Sequence, residues 1–459
     1  MILIAKQRAF DEVRKKVVEA IIQDGKYHIE LLITNPSTDN SYYNQMPEIG
    51  KVMSSLDLEY EESMKGLEYE TIKAYRATQL DVENYYYRMD HDYQIDKYYY
   101  YAGLSYWNLY FQEHNIDMVV NLMFRHGTIW DIAMDVAEKQ GKPIVYIESC
   151  GYHSTYTIAK DGMVQPIYTD GVASIEYVLE SSYDKTHLDP TRLPKPMWRL
   201  ACYKIGGNLL EDFGRRLLHW NWEPQSVSKK RYKAYWSEKL FGYLQLRRTE
   251  KYLEKLSRPY KKGEKFVFYA LHFEPEAVTQ VRNVLESQLT IIKMLSETLP
   301  EGWKLYVKEH PAQFKLNTDV GYYFMLQTPR FKTKKFYDKI ASLKNVVIIE
   351  ANTSSSLLIE EAQAVSSIVG TVFFEAVLLG KPMIVFSDLQ PVVKMKDVFS
   401  IHSYNECKLA MGKIANGFQP DYSDAGNVVR NYIFKEEHMP ENIVGLLHQY
   451  CPMGNNESC

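Results

Sequence analysis

The chain has 459 residues, of which 46% are hydrophobic and 24% charged, with a formal net charge of -4. These proportions fit a soluble globular protein with room for two α/β domains of roughly 200 residues each, and they exclude collagen-like and disordered classes. A balance this close to neutral supplies no basic field, so no nucleic-acid partner is expected.

The opening residues MILIAKQR hold too short an apolar stretch for a secretory signal. An amphipathic stretch over 10–23 reads as a helix, and HIELLIT (28–34) as a strand. The chain carries 37 tyrosines, with runs at Tyr85–Tyr87 and Tyr98–Tyr101. Tyrosine faces can stack on sugar rings, but half-buried helix surface accounts for them more simply. An aromatic helix is expected over 98–113, then a nearly continuous apolar strand over 116–124, as central parallel strands require when helices cover both faces. Gly127-Thr128 opens a helix to about residue 140, and PIVYIE (143–148) is the next strand, completing a βαβ unit.

Between 229 and 262 basic residues outnumber acidic ones in a helical pattern, which predicts a solvated connector; docking onto an anionic membrane surface or a lipid-linked acceptor is the sharper alternative. A second α/β series follows. KFVFYAL is a strand, Pro275 stands at a helix start with the helix running from Glu276 to about Thr298, and KLYVKEH is a strand. VVIIE, SSIVG and PMIVF are three further strands. The expected fold class is therefore α/β, two doubly wound Rossmann-type domains facing a central cleft. The divisions are 1–228, a connector at 229–262, a second domain at 263–427, and a helical tail at 428–459 packing back on the first domain. The five cysteines are scattered without a C-x-x-C pair, which argues against disulfides and structural zinc and fits a reducing cytoplasm. No run of about 18 uncharged apolar residues offers a membrane span.

Ligands of open parallel sheets bind at the carboxyl ends of strands. Three segments of the second half place polar groups there: His272-Phe273-Glu274-Pro275-Glu276, Lys308-Glu309-His310-Pro311, and Gly370-Thr371 followed by Glu375. Gly370 lets a phosphate approach the backbone, and Thr371 with the next helix offers donors. His310, directed by Pro311, can donate to a departing phosphate beside Lys308, and Glu375 is placed for ribose hydroxyls. Taken singly, His-Pro is usually a turn and Gly-Thr a helix cap.

YALHFEPE, then LYVKEHP, then VGTVFFEAVLLGKPMIVF together resemble the capsule polysaccharide biosynthesis family, which includes bacterial Kdo transferases and is related in layout to His-Pro-motif sialyltransferases. The resemblance covers about 265–386, and extends weakly to Glu148-Ser149-Cys150-Gly151-Tyr152. It implies a GT-B fold, an inverting glycosyltransferase reaction with a nucleotide sugar, and no metal or other cofactor. By matching position it implies donor phosphate at His310, Gly370 and Thr371, and donor ribose at Glu375. His272, Glu276, Lys308 and Pro311 complete the candidate donor set.

Inverting transfer needs a carboxylate to take the acceptor hydroxyl's proton. The first half offers Glu148, ending PIVYIE, and Asp161 in the turn-like KDG, and both stay open. Arg125-His126-Gly127-Thr128 is an anion-friendly turn for an acceptor phosphate or sugar carboxylate, or a plain helix start. Asp90-His91-Asp92 resembles the D-x-D of metal-dependent glycosyltransferases but lacks a strand end, and Ser354–Ser356 lacks a nucleophile elbow.

The expectation is a cytoplasmic enzyme of bacterial surface polysaccharide synthesis, with peripheral contact to the inner membrane considered. Its partners are a CMP-sugar such as Kdo or a sialic acid and a glycan or lipid-linked acceptor. A polyol-phosphate transferase, a UDP-sugar epimerase and a non-catalytic assembly or export protein are the alternatives.

Overall fold

The computed structural model describes residues 1–5, 11–34, 38–54, 64–89, 93–123, 125, 127–150, 155–182, 231–280, 285–311, 313–314 and 328–449. In the first lobe the strands are β1 (Ile2–Ala5), β2 (Ile29–Thr34), β3 (Ile49–Ser54), β4 (Val119–Asn121), β5 (Ile144–Ser149), β6 (Thr155–Lys160) and β7 (Met163–Gln165). Their order is β3-β2-β1-β4-β5, all parallel, with β6 antiparallel beside β5 and β7 antiparallel beside β6. Both faces of this sheet are covered. Ile2, Ile4, Leu31 and Ile144 pack with the aromatic helix Tyr93–Glu113 on one side, while Leu3, Leu32 and Val145 pack with the helix Asp11–Asp24 on the other. That double covering is why β1 and β2 read as uninterrupted apolar runs.

The second lobe contains β8 (Phe266–Ala270), β9 (Lys304–Lys308), β10 (Val346–Ile349), β11 (Ala364–Ser367), β12 (Met383–Val385) and β13 (Phe399–Ser400). Every pairing is parallel and the order is β10-β9-β8-β11-β12-β13. This is the doubly wound dinucleotide-fold order, and the winding reverses between β8 and β11. Folds of this order take ligands at that reversal, here where residues 271–276 and 368–371 leave the sheet.

Beyond the second sheet the chain returns to the first lobe. β14 (Phe434–Lys435) pairs antiparallel with β6. The helix Met439–Leu447 buries Ile443, Leu446 and Leu447 against the helix Asp11–Asp24, and the Tyr27 hydroxyl donates to the Leu447 carbonyl. At Gly171 the approach of this returning segment is so close that a Cβ would lie 2.0 Å from the Arg430 carbonyl oxygen.

The lobes touch through the helix Arg76–Met89 and the segments that follow β5 and β12. Asn84 Nδ2 donates to the Gln280 carbonyl at 3.0 Å, Leu389 joins the first lobe's core, and Cys150 joins the second's.

Several expected elements are redrawn. The apolar run at 116–124 supplies only three strand residues, and the helix after it begins at Ile132. Pro275 follows a cis peptide bond instead of starting a helix; the helix is Gln288–Thr298, with Ser287 capping it by accepting from Thr290 N. The basic connector is the helix Arg231–Leu256, and it docks on the second lobe through Gln245 to the Pro329 carbonyl and Arg247 to the Phe314 carbonyl, both at 2.9 Å. Tyr100, in one of the tyrosine runs, is fully buried with its hydroxyl on the Tyr75 carbonyl at 2.8 Å, which is the structural use of tyrosine. Among the described residues no helix is long and apolar enough to cross a membrane.

Candidate functional site

At the crevice between β8 and β11, His272 is the central side chain. Its Nε2 accepts the Val369 amide N–H at 3.2 Å, and Ser367 Oγ lies at 3.2 Å. An amide can only donate, so this network assigns the proton to Nδ1, which faces Glu276 Oε2 at 3.5 Å. Gly370 has φ of 127°, a conformation that side chains disfavour, and a Cβ there would meet His272 Cε1 at 4.0 Å. The glycine thus keeps the backbone bare beside the imidazole. Thr371 precedes the helix Val372–Leu378 as its N-cap, with no side-chain cap bond.

Lys308, the last residue of β9, is buried, and its ammonium donates to Ser355 Oγ at 2.8 Å. Burial pushes the Lys308 pKa down and the neighbouring Glu375 carboxylate raises it; burial pushes Glu375 up and Lys308 pulls it down. Each charge therefore limits the other's desolvation penalty. The His310 ring stands edge-on to Phe273 with centroids 6.2 Å apart. Pro311 is exposed, in the turn that closes with Gln313 N on the His310 carbonyl at 3.0 Å. His272, Lys308, His310, Gly370, Thr371 and Glu375 thus all belong to the carboxyl edge of one sheet, around its reversal point.

Behind these residues lies a buried polar frame that the sequence reading missed. Glu309 has 3% of its side chain exposed; its Oε1 accepts from Lys332 Nζ at 2.7 Å and its Oε2 from the Tyr337 hydroxyl at 2.6 Å. Glu274 accepts from Gln288 at 2.7 Å, Gln280 at 2.8 Å and Thr279 at 3.0 Å. Burial raises the Glu274 carboxyl, with Lys332 and these donors opposing. Gln313 clasps the Glu274 backbone at both its N–H and its carbonyl, 2.9 and 3.0 Å away.

In the first lobe the picture changes more. Glu148 does not end its strand. It lies inside β5 opposite Thr157 of β6, with 1% exposure, on the face that carries Ile144 and Tyr146. Asp161 is at the wrong edge for the expected role. It occupies the β6–β7 hairpin turn with φ of 48°, and its Oδ1 accepts from Ile144 N at 3.2 Å, where β5 begins. The carboxyl-end loops are at the other end of that strand, so Asp161 is a turn residue.

The turn at Arg125-His126-Gly127-Thr128 is largely spoken for. Arg125 pairs with Asp135, and Thr128 presents its N–H to Asp131 Oδ2 at 2.9 Å and its hydroxyl to the same oxygen at 3.2 Å. Gly127 takes φ of 76° in the turn. His126 and the Asp90-His91-Asp92 pattern lie outside the described residues. Of the two readings of this turn the structure favours the plain helix start: Asp131 and Asp135 accept from Thr128 and Arg125, and the helix begins at Ile132. Among the described residues no group of three or more His, Cys, Asp or Glu side chains could hold a metal ion.

Where the lobes meet, two more carboxylates stand out. Burial pushes Asp81 up to about 7, with Asp135 and Asp131 adding to the rise and Arg125 opposing. Burial likewise pushes Glu286 of the second lobe up to about 7, with Asp81 and Glu274 contributing. Both folded values lie above the ordinary carboxylate range, so the folded state holds these protons more tightly than the unfolded chain. The stabilisation is complete below about pH 4 and is lost as pH rises through about 7. Asp81→Asn and Glu286→Gln should therefore each raise the melting temperature at pH 8, adding about 1 kcal/mol of stability after solvent screening, and change little at pH 4. Equal effects at both pH values would contradict this.

No protein-family model matches the chain, and no curated protein matches it. Among solved structures, the β-Kdo 2,7 transferase KpsC of Thermosulfurimonas dismutans is similar at 14% identity and a TM-score of 0.27, over 74% of this chain and 89% of that one. The UDP-GlcNAc 2-epimerase of Methanocaldococcus jannaschii, in complex with UDP-GlcNAc and UDP, is similar at 13% identity and a TM-score of 0.26, over 97% and 99%. The UDP-GlcNAc 2-epimerase of Neisseria meningitidis bound to UDP-GlcNAc gives 14% identity and a TM-score of 0.24, over 98% and 99%. Likenesses at this level bear on neither substrate nor reaction, and the two-lobed Rossmann-type fold rests on the strand orders themselves.

Proposed function

We propose that the protein is an inverting, metal-independent glycosyltransferase of bacterial surface polysaccharide synthesis. Its donor is a CMP-activated ulosonic acid such as Kdo or a sialic acid, and its acceptor a glycan or lipid-linked glycan at the inner face of the cytoplasmic membrane. One observation carries the reading: His272, Lys308, Gly370 and Glu375 stand together at the reversal point of the second sheet, the position where this strand order takes nucleotides. Lys308 and His310 oppose the charge that grows on the departing phosphate, Gly370 admits the phosphate to the backbone, and Glu375 holds ribose hydroxyls. Glu148, next to the carboxyl end of β5, is the first-lobe carboxylate assigned to take the acceptor's proton.

Calorimetric titration with CMP and with UDP tests the donor site. His310→Ala and Glu375→Ala should each bind nucleotide at least about tenfold more weakly, a loss of about 1.4 kcal/mol, at a temperature where each variant is folded. CMP release coupled to sugar transfer supports the transferase; an epimerised UDP-sugar points to the epimerase, and wild-type protein that binds neither nucleotide sinks both.

A further inference from the structure

Lys332 is an unusual lysine: its side chain is 1% exposed, in a stretch whose other lysines, Lys334 and Lys335, are exposed. Its partners define what it joins. Nζ donates to the carbonyl of His272, in the loop leaving β8, and to Glu309 Oε1 at 2.7 Å, in the loop leaving β9. The same Glu309 oxygen accepts the backbone N–H of His310 at 2.6 Å. One ammonium therefore ties the main chain of one histidine to the carboxylate that holds the main chain of the other. Tyr337, itself fully buried, completes the carboxylate's coordination through its hydroxyl at 2.6 Å.

A pair of opposite charges withdrawn from water is an inefficient way to stabilise a core, and apolar side chains of similar volume commonly do as well. What a methionine could not do is reach a carbonyl and a carboxylate at once with directed donors. We propose that Lys332 is a positioning residue that fixes the β8 and β9 loops to one another and so sets the spacing of the His272 and His310 imidazoles around a phosphate-bearing ligand. The ligand half of this inference rests on the nucleotide reading given above; the loop half does not.

The test uses the full chain and two variants, Lys332→Met and the doubly neutral Lys332→Met/Glu309→Gln, which retains a fold to measure should the single variant lose it. Hydrogen exchange without ligand is followed in segments 271–276, 309–313 and, as an internal reference, 364–367. Affinities for CMP and UDP are measured by calorimetry at a temperature where circular dichroism shows each variant folded. Exchange should quicken at least tenfold in both loops together while the β11 reference stays protected, and nucleotide affinity should fall at least tenfold in the double variant. The proposal is overturned if either loop keeps wild-type exchange, if the reference quickens in parallel (a fold staple only), or if the folded double variant binds nucleotide like wild type. Should wild-type protein bind no nucleotide, the functional reading fails, and the exchange data alone decide whether Lys332 couples the loops.

Discussion

Glu309→Leu is expected to cost the protein about 3–5 kcal/mol, the range seen when one member of a buried ion pair is removed. The wild-type carboxylate is 3% exposed and accepts from Lys332, from the Tyr337 hydroxyl and from the His310 amide. Leucine would leave those donors facing hydrocarbon with no water to replace the lost acceptor. The companion change separates charge from shape: Lys332→Met/Glu309→Leu should recover a large part of the loss, because no uncompensated ion remains. Urea unfolding of wild type, both single variants and the double variant gives the cycle. A double variant as unstable as the two single losses added together would mean that the pair contributes through packing, not charge.

Lys308→Met is expected to reduce turnover of the nucleotide sugar by about 100- to 1000-fold, the effect of deleting one well-placed group that stabilises transition-state charge. The ammonium is held at the end of β9 by Ser355 Oγ and faces Glu375. Its pKa adds a pH signature. Burial lowers it, so the alkaline limb of the rate profile should fall below the ordinary lysine range, and Glu375→Gln should move that limb further down by removing the carboxylate that supports the charge. Steady-state nucleotide release from pH 6 to 10 reads both. A Lys308→Met variant within threefold of wild type would remove the lysine from the chemistry.

The second lobe was legible because its strands are short apolar runs that end in polar residues: Lys308 closes β9, and His272 and Gly370 follow β8 and β11. β1 was not, since Met1–Ala5 is too brief to show periodicity; β6 buries threonines that its mixed TYTIAK content does not mark as core, and β7 is only three residues long. Glu148 was misplaced by one residue: β5 runs on to Ser149, so the carboxylate is buried just short of the strand's carboxyl end instead of ending it. Lys332 could not be singled out at all: in FKTKK its neighbours have the same chemistry, and only the fold turns one of them inward. Asp81 and Glu286 lie far apart in sequence, and their mutual influence exists only once the lobes meet.

The pairing of β14 with β6 and the seat of Met439–Leu447 on Asp11–Asp24 also constrain synthesis. While the ribosome is still making the second lobe, the nascent first lobe has the Thr155–Tyr156 end of β6 without β14 and an apolar groove without its lid, the surface on which chains stick to one another. Its folding can finish only after Leu447 has emerged from the exit tunnel, so a nonsense codon anywhere before residue 434 should yield insoluble product even when the second lobe's sheet is complete.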